Sequence, residues 1–146
     1  MLNGLIHAHS GLRWIVLALV IIAILQCVPA WNKGKAWTES KRKLVMYAMI
    51  FMHIQVVIGL ILYFMSPKVQ FGEGFMQNAQ LRFFAVEHIV LMLLAAVFVT
   101  IGYVRAKRKP TDIERFKSIF WFYLIGLLVL IAGIPWPFRG LGAAWF

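Results

Sequence analysis

The sequence predicts an all-α integral membrane protein, one domain of residues 1–146 folded as an up-down four-helix bundle. Three observations carry this expectation. Hydrophobic residues make up 62% of the chain, well above the half expected of a soluble domain. Four apolar stretches, residues 5–28, 44–64, 83–103 and 116–135, each supply the ~20 residues that a helix rising ~1.5 Å per residue needs to cross a ~30 Å hydrocarbon core. The connections between them are short, and in lipid every backbone polar group must be satisfied internally, so the spans are helices that run up and down in turn.

The charge distribution sets the expected orientation. Of the fifteen Lys and Arg residues, eleven fall in two stretches: Lys33, Lys35, Lys41, Arg42 and Lys43 between the first two spans, and Arg105, Lys107, Arg108, Lys109, Arg115 and Lys117 around the last connection. The positive-inside rule puts those loops in the cytoplasm and both termini on the non-cytoplasmic side. The net charge of +10 is then mostly a topology signal, with attraction to anionic lipid as a by-product and no call for a nucleic-acid partner. The N-terminus lacks the basic start of a signal peptide and its apolar run is too long for one, so it reads as a retained first span. The composition points to a multi-pass membrane protein.

Along the chain, Asn3 is placed to cap the first helix, and Pro29, Trp31 and Trp37 mark its cytoplasmic exit. The lone cysteine, Cys27, has no internal disulfide partner and reads as a small buried residue. Ser66-Pro67 ends the second span and opens an external loop over residues 68–80. Thr111-Asp112-Ile113-Glu114 supplies a cap and an acidic first turn for the fourth helix, which ends at Gly133-Ile134-Pro135. The apolar tail, residues 138–146, is expected to lie in the membrane interface.

Four histidines, His7, His9, His53 and His88, avoid the basic loops altogether. Counted at ~1.5 Å per residue, His9 and His88 lie at similar depths, ~6–8 Å inside the outer boundary, and His53 near the midplane. His7 and His9, two residues apart, point to nearly opposite sides of a helix. An ionisable residue in a span usually faces the bundle interior with a partner or a function, and the bland alternative is a hydrogen bond tying helices together. Bundles build cofactor sites from facing helices, and haem iron takes histidine axially. Spans one and three are diagonal in a simple ring, so His9 and His88 are the expected metal ligands, with His53 a neighbour or an alternative ligand. Gly11, Gly59 and Gly102 are candidates for admitting a flat macrocycle or for simple close packing.

Glu87 adjoins His88, and Arg13 follows His9 by four residues on the same helix face. Their equal depths predict an Arg13–Glu87 ion pair. Arg13, Arg82 and Arg139 are also candidates for binding haem propionates, because guanidinium matches carboxylate bidentately. Met46, Met49, Met52 and Met92 lie in spans two and three; thioether with imidazole suits Cu(I), but methionine is also an ordinary gap-filler.

The segments His9-Ser10-Gly11-Leu12-Arg13-Trp14, His53-Ile54-Gln55, Gly59-Leu60-Ile61-Leu62-Tyr63, Arg82-Phe83 before Glu87-His88, and Gly133-Ile134-Pro135-Trp136-Pro137 resemble small four-helix bacterial membrane proteins usually labelled cytochrome b. The resemblance covers nearly the whole chain. It implies His9, His53 and His88 as the matching histidines and excludes His7. The absence of histidine from the cytoplasmic half departs from two-haem transmembrane cytochromes and limits the count to one haem b. The expected function is electron transfer between a quinol or membrane partner and an external redox protein, with Arg13, Arg82, Arg139 and Glu87 completing the cofactor-binding set. This is the work of an electron carrier or subunit more than of a stand-alone enzyme. The rival expectations are a copper- or other metal-binding membrane protein using the same histidines and a non-catalytic structural subunit of a larger membrane complex.

Overall fold

The computed structural model describes residues 2–143 and 145. These are 78% helical with no strands. Helix α1 (Leu2–Leu25) continues into the short α2 (Cys27–Asn32), and α3 (Glu39–Met65) returns. A single turn, α4 (Ala79–Arg82), runs through a π turn (Phe83–Glu87) into α5 (His88–Arg108), and α6 (Asp112–Gly133) closes the bundle, followed by a 3-10 turn (Pro137–Arg139). Four of these runs, Leu2–Asn32, Glu39–Met65, Ala79–Arg108 and Asp112–Gly133, are long and apolar enough to span a membrane. The outer surface is correspondingly greasy: Ile22, Leu25, Val57, Phe64, Val97 and Leu128 all lie exposed, the inverse of a soluble bundle.

Local chemistry explains most helix ends. Pro29 has no N–H to give the carbonyl four residues back, so the α1 ladder breaks at Leu25 and the helix resumes as α2, with the proline tolerated in its first turn. The first membrane run therefore ends at Asn32, close to the exit marked by Pro29, Trp31 and Trp37. Asn3 lies within α1, which already includes Leu2, and not at its N-cap position. The third membrane helix starts earlier than its apolar run: Asn78 accepts from the Gln80 and Leu81 amides and caps it. At the other end, Ser66 is extended ahead of Pro67 and terminates α3. Thr111 and Glu114 form a full capping box on α6.

α1 packs against α3 and α6, and α5 packs against α6 and α3, so α1 and α5 stand diagonally. The end carrying the basic loops is filled. Val20, Ala23, Val45, Ala48, Val99 and Ile119 are buried there, with small residues letting backbones approach. Cys27 is buried too, its Sγ donating to the Ala23 carbonyl at 3.1 Å. Tyr123, fully buried, donates to the Val45 carbonyl at 2.8 Å. Tyr123→Phe is expected to cost about 0.6–1 kcal/mol, the usual worth of one hydrogen bond inside a bundle, read as a small drop in unfolding midpoint in detergent with the histidine end unaffected.

Candidate cofactor site

At the opposite end the helices separate around a largely apolar cavity of about 320 Å³. α1 supplies His9 and Arg13, α3 supplies Gln55 and Gly59, and α5 supplies His88 and Met92. His9 and His88 face each other across the bundle diagonal, ring centroids 6.3 Å apart and planes at 75°.

Each imidazole has its own support. On α3, a Cβ at Gly59 would stand 3.0 Å from His9 Cε1, so glycine is what lets the ring lie against that helix. One turn deeper, Gln55 Nε2 donates to the His9 carbonyl at 2.9 Å. His88 Nδ1 lies 2.7 Å from the Gly133 carbonyl oxygen, which can only accept, so Nδ1 carries the hydrogen and Nε2 keeps its lone pair. That carbonyl is free because α6 ends at Gly133, and a helix leaves its last carbonyls without intrahelical partners. A Cβ on Gly133 would press on Leu91 Cβ at 2.8 Å and on the Met92 methyl, so the close approach of α6 to α5 at this point needs glycine.

The π turn sets the aim of His88. Its amide bonds to the Phe83 carbonyl, five residues back. In an α-helix residues five apart point about 140° from one another, whereas a π turn brings them nearly into line. Phe83 thus lies against His88, ring centroids 5.8 Å apart and planes tilted by 39°, and is itself buried. By the same geometry Arg82 reaches Glu87, with Nε to Oε1 at 2.8 Å.

That pairing corrects one expectation. Glu87 is engaged by Arg82 and not by Arg13; Arg13 Nη2 donates to the Trp145 carbonyl at 2.6 Å. Of the three arginines expected at a cofactor, Arg13 alone lines the cavity. Arg82 also donates to the Met76 carbonyl. Arg139 donates to the Ala132 and Ile134 carbonyls and covers the Phe83 ring at 4.7 Å. His53 lies outside the cavity, on the exposed face of α3, with Nδ1 at 2.7 Å from the Met49 carbonyl and Nε2 at 3.2 Å from Thr100 Oγ1; it ties α3 to α5. His7 is exposed. Gly11 has open space where a Cβ would go, while Gly102 packs tightly on Phe122 and Tyr123 of α6.

Among the described residues, three buried polar atoms have no hydrogen-bond partner: His9 Nδ1, Arg13 Nε and Gln55 Oε1. All three belong to residues lining this cavity. They offer an imidazole nitrogen, a donor and an acceptor to whatever fills it, and buried groups left unsatisfied cost about 1–3 kcal/mol each. Gln55 and Lys68, which also lines the cavity, are not among the site residues expected from the sequence, although Gln55 falls in one of the segments that carry the resemblance; a lone glutamine inside an apolar span is the available signal for it.

Metal–imidazole bonds of about 2 Å on each side of one atom put two ring centroids roughly 6 Å apart, which is the spacing of His9 and His88. Among the described residues no group of three or more His, Cys, Asp or Glu side chains is placed to hold a metal ion. The arrangement therefore offers two facing imidazoles, with no third His, Cys, Asp or Glu side chain grouped with them among the described residues. No family model, curated protein or solved structure matches the chain.

Proposed function

We propose that this chain is a multi-pass electron-transfer protein of a bacterial inner membrane that holds one haem b between His9 and His88. The observation that carries the reading is the pair of imidazoles facing each other from diagonal helices across an apolar cavity, with His9 Nδ1 buried and unpartnered. Two protein ligands are too few for an isolated metal ion, which wants about four, but they are what a macrocycle that brings its own four nitrogens leaves to be filled. Haem b, when bound, supplies a one-electron couple. The chain's own part is to present the two nitrogens, to keep the His88 tautomer fixed through Gly133, and to exclude water with Val16, Leu130 and Ile134. Glu87, Arg82 and Arg139, engaged with one another or with backbone carbonyls, are supports of the site's wall in this reading rather than contacts to the cofactor.

Electrons pass between a quinol or membrane partner and an external redox protein, because the site lies toward the end away from the basic loops, which the positive-inside rule assigns to the cytoplasm. Reporters at either terminus or in the 68–80 loop are accordingly expected to read external, and reporters near Lys35 or Arg108 cytoplasmic; a cytoplasmic N-terminus would reverse the orientation.

A copper reading is kept second by one observation, that Met52 and Met92 line the same cavity as the histidines. Purification in mild detergent separates the two. The haem reading expects a red protein whose pyridine spectrum gives about one haem b per chain. A colourless protein with stoichiometric copper would favour the second reading, and one with neither would favour a structural subunit.

A further inference from the structure

The two cations that line the cavity are both held by the same short piece of chain. Arg13 Nη2 bonds to the Trp145 carbonyl at 2.6 Å, and Lys68 Nζ bonds to the Gly142 carbonyl at 2.5 Å. Arg13 is 8% exposed. Neither cation has an acidic partner among the described residues. A carbonyl satisfies a hydrogen bond but not a charge, and the Trp14 ring, 5.3 Å from the Arg13 guanidinium carbon, offsets a buried charge only in part. Arg13 Nε remains unpartnered as well.

The tail that provides these carbonyls is folded back by strain-tolerant residues. Gly140 and Gly142 both adopt positive φ, +67° and +66°, where any other residue is disfavoured. Trp145 then stacks against Trp14 at 6.1 Å, and Trp14 Nε1 adds a second bond to the Trp145 carbonyl at 3.2 Å. Leu141 is buried under the fold-back.

We propose that this tail is a place-holder: its Gly142 and Trp145 carbonyls occupy positions that the two carboxylates of an apolar ligand take when the cavity fills. The ligand class is a flat or elongated apolar body with two carboxylates near one edge. The inference rests on the haem reading for the identity of the natural ligand, since haem b has two propionates, but the cation pair and its surrogate partners stand without any iron chemistry. Arg13 meets one carboxylate from inside the bundle and Lys68 the other from the loop following α3. The tail carbonyls are displaced as the carboxylates bind, so carboxylate capture and tail opening are one event, and a ligand without carboxylates leaves the tail in place.

The test uses metal-free protoporphyrin IX and its dimethyl ester, followed by fluorescence titration of the purified full-length protein in detergent. The diacid should bind about tenfold more tightly than the diester, the value of one or two charge-assisted hydrogen bonds. Lys68→Ala should remove much of that preference. Gly142→Ala strains the fold-back and brings a Cβ to 3.0 Å from Gln80 Nε2, so it should release the tail and tighten diacid binding by roughly threefold while leaving the diester unchanged. A chain ending at Arg139 should do the same.

Equal affinity for diacid and diester would overturn the proposal. So would weaker diacid binding in both tail variants, which would make the tail part of the binding wall. His88→Ala separates this idea from the haem reading: it should abolish haem binding and leave the diacid preference intact. A protein that never takes haem yet prefers the diacid sinks the first reading alone.

Discussion

His88→Ala is expected to leave less than roughly a tenth of the wild-type haem b per chain, because the imidazole is the bond to iron and alanine offers none. His9→Ala is expected to match it. The two differ in what surrounds the lost ligand. His88 is oriented by the Gly133 carbonyl at 2.7 Å, whereas His9 is placed by its contact with Gly59 and by its backbone bond from Gln55. An added exogenous imidazole should restore more absorbance at the His9→Ala site, where the unpartnered nitrogen leaves no broken hydrogen bond behind. His53→Ala should retain the haem, since His53 bonds to Met49 and Thr100 outside the cavity. Haem lost on His53→Ala, with His9→Ala intact, would move the ligand to α3 and break the diagonal pair. Haem retained in the His9→Ala, His88→Ala double variant would discard it.

Gly59→Leu is the second large effect, and it touches no ligand. A bare Cβ at this position already stands 3.0 Å from His9 Cε1, tighter than ordinary contact, and three further carbons cannot be placed without pushing the ring off its line to His88. Haem content is expected to fall by at least about tenfold, the cost typical of a lost orienting contact at a metal ligand. The helix itself should survive, since leucine is a better helix former than glycine, and circular dichroism should be unchanged. Gly11→Leu is the control: a Cβ there meets nothing within 4 Å, so haem content should hold. If Gly59→Leu binds haem normally, His9 is not placed by α3 in the working protein.

How much of this was legible follows from which forces a sequence displays. Four spans show in hydropathy alone, and the depth ruler that matched His9 with His88 worked because helical rise is nearly constant. The diagonal relation followed from short loops forcing an up-down order. The Arg13–Glu87 pair failed for a specific reason. Equal depth does not fix rotation about the helix, and the π turn at Phe83–Glu87 adds a residue to one turn and swings Glu87 to Arg82. Nothing in Phe83-Phe84-Ala85-Val86-Glu87 marks a π turn by composition. The break of α1 at Leu25 was readable in principle from Pro29, by looking four residues back for the carbonyl it cannot serve. The role of Gly133 needed tertiary information: a helix end is predictable, but which imidazole its free carbonyl meets is not. Lys68 and the fold-back of the tail depend on two loops that meet only in three dimensions.

The most direct test of the central claim is a dithionite-reduced minus oxidised spectrum of native membranes, where no detergent can strip a cofactor, comparing cells overexpressing the wild-type chain with cells overexpressing the His9→Ala, His88→Ala double variant at equal protein level. The account predicts a haem b band that rises in proportion to the wild-type chain and does not rise with the double variant. A band that fails to rise with the wild-type chain, or that rises equally with both, would contradict it.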